Sequence, residues 1–186
     1  AGARWGSERV HNIRSGQSSG SWTATWGDVT ESPNQEGPPE VDRDVFLKLH
    51  MVDEAGSEVV VGRGPAQRWL DNRDIGEEMS IVTVRRKAGD DLDTFVAVHE
   101  PYRSAPFVSQ IRRLPVTSED DHAVALSVSH RAGTDLILSA DGISGLPQVQ
   151  HAEQDGMLLE SDGELAVAGF DGGGLRHLSV IGGTYT

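Results

Sequence analysis

The chain has 186 residues, a formal net charge of −13, no cysteine, 37% apolar residues and only 5% aromatic ones. Disulfides and thiolate metal sites are therefore excluded, no basic face of the kind that grips nucleic acid is visible, and no run approaches the ~20 apolar residues of a membrane-spanning helix. The length suits one or two small domains with an aliphatic core, and 22 glycines without a sustained helical period favour short strands joined by tight turns.

In chain order, residues 1–20 are polar and read as mid-chain material of a larger protein. A short strand is expected near residues 9–14 and a Gly/Ser/Gln loop at 16–20. Residues 21–26 alternate strictly, so Trp22, Ala24 and Trp26 share one face of a strand. Two tryptophans so placed are either a platform for stacking sugar rings or part of a sandwich core. A proline-rich loop at 28–39 leads to a strand at 44–52, with Val45, Leu47, Leu49 and Met51 on one face and Phe46, Lys48, His50 and Val52 on the other. Residues 58–64 are expected as its hairpin partner, ended by Pro65. The polar connection 67–74 carries Trp69. Its Asp/Asn cluster offers oxygen atoms to calcium but lacks the spacing of an EF-hand loop, so a turn with no metal is expected.

A strand is expected at 79–86 and another at 94–99. Pro101 and Pro106 then bound a link at 100–106, because a proline lacks the backbone donor and restricts the residue before it. Residues 107–114 resume an extended pattern, with Phe107, Ser109, Ile111 and Arg113 on one face and Val108, Gln110, Arg112 and Leu114 on the other. Further strands are expected at 123–130, 135–139, 157–160, 164–170 and 175–182, separated by Gly-containing turns at 131–133, 161–163 and 171–174 and by loops at 117–121 and 141–147. Ten to thirteen short strands and no helix imply an all-β chain, a two-sheet antiparallel β-sandwich, with residues 21–186 as its single domain.

Seven histidines include no pair at zinc-motif spacing. His99 is followed by Glu100, Tyr102 and Arg103, and His99, Tyr102 and Arg103 are the residue types for the base, the acid and the group neutralising a carboxylate that a uronic-acid lyase requires. Along a strand, however, consecutive side chains alternate between faces. No nucleophile elbow or phosphate loop is present, and the paired carboxylates sit in acidic turns rather than across a cleft.

Taken together, VFLKLH at 45–50, EVVVGRGP at 58–65, FVAVHEPY at 95–102, IRRL at 111–114, TDLILS at 134–139, GELAV at 163–167 and IGGT at 181–184 resemble the C-terminal β-sandwich of heparinase II/III-like polysaccharide lyases, over roughly residues 20–186. The resemblance implies β-elimination on uronic-acid-containing polysaccharide by a parent protein whose catalytic Tyr and Asn lie in an N-terminal helical toroid, with a His and metal ligands early in the β-region. These 186 residues hold no segment matching the toroid and no His-x-His segment, so no catalytic residue transfers. The resemblance thus leads to the expectation of an accessory domain, not active alone, without cofactor or metal. Its expected partners are an acidic polysaccharide and an upstream helical catalytic domain, in a secreted or periplasmic protein. Substrate contacts are expected from Trp22, Trp26, Trp69, Tyr102 and Arg103, since aromatic faces and guanidinium groups suit acidic sugars. Two other readings stand beside it: a self-standing carbohydrate-binding module, and an active lyase domain using His99, Tyr102 and Arg103.

Overall fold

The computed structural model describes residues 10–27, 44–52, 55–65, 78–87, 94–118, 122–140 and 149–183. Among them are thirteen strands and no helix: β1 (His11–Gln17), β2 (Trp22–Gly27), β3 (Val45–Val52), β4 (Glu58–Pro65), β5 (Glu78–Arg85), β6 (Val96–Arg103), β7 (Val108–Leu114), β8 (Val124–His130), β9 (Gly133–Ser139), β10 (Gln150–Gln154), β11 (Met157–Ser161), β12 (Leu165–Asp171) and β13 (Gly174–Ile181). The sheets have the orders β1-β4-β5, β2-β3-β6, β13-β12-β9-β8-β7 and β10-β11. The chain divides into two compact units, Ala1–Trp22 with Asp53–Gly89, and Thr23–Val52 with Asp90–Thr186.

The larger unit is an antiparallel β-sandwich around the five-stranded sheet. Its strand β8 is buried on both sides, which explains an apolar run that hardly alternates. Val124 and Leu126 meet Val52 of β3 and Val96 of β6 on one face, with Val98, Ile111 and Ile137 packed against them. On the other face Ala125, Leu136, Leu138, Ala166 and Ala168 meet Ala152 and Leu159 of the β10–β11 ribbon. Register explains how the ribbon gets so close. Leu138 lies between Ala125 and Ala166, and Leu136 between Ser127 and Ala168, so each leucine is flanked by small side chains. Fully burying one such leucine stabilises the fold by roughly 1.5–3 kcal/mol.

The expected all-β antiparallel sandwich is thus present, with the ribbon β10–β11 and the sheet β1-β4-β5 in addition to the two sheets that face each other. Three local expectations change. β3 does not pair with β4; it pairs with β6 from Val45↔Arg103 to Val52↔Val96, while β4 pairs with β1 and β5. The chain leaves its sheet after Val52, and the next turn is tied to the loop after β1 by Ser18 N donating to Ser57 O and Gly56 N donating to Ser18 O, both 2.8 Å.

Second, β6 does not stop before Pro101. Pro101 lies within it, opposite Leu47. The strand is at the edge of β2-β3-β6, where a missing N–H leaves no ladder bond unmade. Third, a bulge between Val108 and Gln110 breaks the alternation of β7. Val108 then faces the same way as Ile111, while Leu114 packs on the opposite face of the sheet. The polar strand β10 was not anticipated, since only Ala152 marks its inner side.

In the smaller unit β4 is the middle strand, with Gly16↔Val59, Arg14↔Val61 and His11↔Arg63 on its β1 side and Val59↔Val84, Val61↔Val82 and Arg63↔Ser80 on its β5 side. A bulge between His11 and Arg14 inserts one residue into β1, an exposed edge strand. Trp69 and the connection 67–74, with the loops 28–39 and 141–147, lie outside the described residues.

Candidate functional site

One face of the β1–β4 pair carries Arg14, Gly16, Val59, Val61 and Arg63, as their pairing and two-residue spacing require. A Ser-Ser-Gly-Ser loop, residues 18–21, joins β1 to β2. Gly20 has φ +140, a conformation that a side chain would oppose. The loop returns the chain so that Trp22 stands beside this face. Trp22 lines a pocket of about 370 Å³ together with Arg14, Gly16, Gln17, Val59, Val61 and the loop serines.

Trp22 is half-buried, and its indole Nε1 is shielded from solvent without a hydrogen-bond acceptor among the described residues. An unsatisfied buried donor costs about 1–3 kcal/mol. The site therefore combines an apolar ring, an N–H with its bonding capacity unused, and a guanidinium with no ion-pair partner among the described residues. Gly16 forms an open floor: a Cβ built there would meet nothing within 4 Å.

A second hollow of about 600 Å³, lined by Asn12, Ile13, Arg14, Val61, Gly62 and Arg63, shares Arg14 and Val61 with the first. Of its lining residues, Arg63 donates through Nε to Glu78 Oε2 at 3.2 Å, and Glu78 Oε1 meets His11 Nε2. The His11 bond above all, opposed by some desolvation and aided by Arg63, holds the Glu78 carboxyl below the usual carboxylate range.

The other sequence-nominated residues do not converge on this pocket. Trp26 is half-buried on the same side of β2 as Trp22. The opposite side of β2 is that of Phe46, since a Cβ on Gly27 would stand 3.1 Å from the Phe46 ring. Tyr102 stacks on Phe46 with centroids 5.2 Å apart, so β2-β3-β6 separates Tyr102 from Trp26. Arg103 and His99 are exposed on the face away from Tyr102. The base, acid and guanidinium of a lyase are thus not gathered from His99, Tyr102 and Arg103.

Two polar clusters escaped the sequence reading. Glu100 is 5% exposed; its Oε2 lies 2.8 Å from His50 Nε2, while Oε1 accepts from the amides of Phe107 and, at 2.7 Å, Val108. Burial opposes its charge, yet the Val108 amide, the His50 ring and the Phe107 amide together hold the carboxyl below the usual range. His130 stacks on Phe107 at 4.6 Å. The Ala132 amide donates to its Nδ1 at 3.1 Å, so the ring proton sits on Nε2, 3.2 Å from Asp135 Oδ2. The first joins residues fifty positions apart, and the second brings Phe107 to a local His130–Asp135 pair. Among the described residues no three His, Asp or Glu side chains converge as metal ligands would.

Neither a protein-family model, nor a curated protein, nor a solved structure matches the chain.

Proposed function

We propose that the chain is a non-catalytic, sugar-binding β-sandwich domain that serves as the accessory part of a polysaccharide lyase, supporting an upstream helical catalytic domain and contacting a uronic-acid-containing polysaccharide. The observation that carries this reading is the Trp22 pocket. An indole face packs against the C–H face of a pyranose, and Arg14 offers two-pronged bonds to a carboxylate. The separation of Tyr102 from His99 and Arg103 favours binding over turnover. A module of this kind works where its polysaccharide is, in a secreted or periplasmic protein.

The test is isothermal titration of the whole chain with oligogalacturonates and glycosaminoglycan fragments, repeated on Trp22→Ala. Binding that weakens by roughly tenfold in the variant is expected, since a lost stacking contact amounts to about 1 kcal/mol beyond the apolar area it buries. Equal affinity of both proteins for every acidic oligosaccharide would sink the reading.

A further inference from the structure

We infer that the Trp22 pocket and the adjoining hollow form one groove, and that Arg63 gives it a second anion-binding position, so that the ligand is an acidic chain of at least two charged sugar units rather than a single sugar. The inference rests on the sugar-binding reading above. Its basis is the β4 strand. Val59, Val61 and Arg63 share one face, and Arg14 stands opposite Val61. Both hollows are lined by Arg14 and Val61, so they adjoin at these two residues. From Val59, beside Trp22, to Arg63 is four residues, about 13 Å at strand spacing, longer than one pyranose ring.

Arg14 and Arg63 are thus spaced along a common floor, in a chain whose net charge is −13. A strongly acidic surface repels polyanions, so two guanidinium groups in one groove select where such a ligand lands. Arg63 is held in place by Glu78, which takes its Nε–H. A guanidinium has five N–H donors, so Glu78 does not exhaust it. Glu78 also competes: its negative charge lowers the attraction of Arg63 for a ligand carboxylate.

The experiment titrates the full chain with tetragalacturonate and, as a neutral probe, cellotetraose. The variants are Arg63→Gln, Glu78→Gln and Gly16→Leu. The last fills the open floor without removing any existing contact, on an edge strand where Gly16 has ordinary extended backbone. Thermal melts check that each variant is folded. Arg63→Gln is expected to weaken tetragalacturonate binding by about five- to tenfold while leaving cellotetraose unchanged, Glu78→Gln to tighten it by a few-fold, and Gly16→Leu to abolish it. If tetragalacturonate binds and Arg63→Gln leaves its affinity unchanged, the second position is overturned and the single Trp22 subsite stands. If neither probe binds the unaltered chain, the sugar-binding reading fails, and the groove with it.

Discussion

At the scale of single residues, the buried Glu100 carboxylate joins elements that are far apart in sequence. It ties β3, through His50, to the entry of β7, through the amides of Phe107 and Val108. Glu100→Gln removes the charge and one acceptor oxygen, so that if the remaining oxygen keeps the two amides an NH2 group faces His50 Nε2. A loss of about 1–3 kcal/mol is expected in urea unfolding. The pH dependence comes from the lowered carboxyl. As pH falls, the unfolded chain takes up this proton first, at about pH 4.3. Stability from Glu100 is therefore complete above that value and is lost as pH drops through the lower folded value. The melting temperature of the unaltered protein should fall more steeply below about pH 5 than that of Glu100→Gln. Parallel curves would show that the buried carboxylate contributes nothing in this range.

At the scale of elements, small residues around Leu136 and Leu138 decide how closely the β10–β11 ribbon approaches the central sheet. Leu138 is 1% exposed, and Leu138→Ala should destabilise by about 2–5 kcal/mol through lost burial and the cavity left behind. Ala166, opposite Leu138 and fully buried, gives the converse test. Ala166→Leu overpacks the interface and should cost about 1–3 kcal/mol. Calorimetric melts of both variants check the pair: if filling proves neutral where emptying is severe, the ribbon is not held at close contact. The expected strand order failed at β3 and β6 for reasons of the same kind. Short-range rules favour a hairpin after β3 and a strand end before Pro101. Long-range pairing with an edge strand outweighed both.

At the scale of the whole molecule, the charge of −13 acts against compaction through self-repulsion. Raising ionic strength from about 10 mM to about 150 mM shortens the screening length from roughly 30 Å to roughly 8 Å, so the melting temperature should rise. A fall would mean that pairs such as Arg85–Glu58, at 2.6 Å, outweigh the net repulsion. The same acidity bears on the proposed ligand: the net charge of −13 opposes tetragalacturonate binding, and the two guanidinium groups of the Arg14–Arg63 groove must offset it locally. The proposed accessory role also predicts that the purified chain releases no unsaturated uronate from pectate, alginate or glycosaminoglycans, measured by the absorbance of those products. Turnover by the chain alone would overturn it.

By itself the sequence determined the fold class and nearly all the strands, because alternation, glycine turns and the absence of a helical period are local properties. It also marked Trp22 as a candidate, since one strictly alternating stretch set two tryptophans on one side of a strand. It could not show that Arg14 lies opposite Val61, that Arg63 shares their face, or that Glu100 finds His50 across fifty residues. Those facts depend on register and on which strands pair. They are set by the burial of aliphatic faces over the whole chain, and a one-residue slip would turn every side chain to the other side of its sheet.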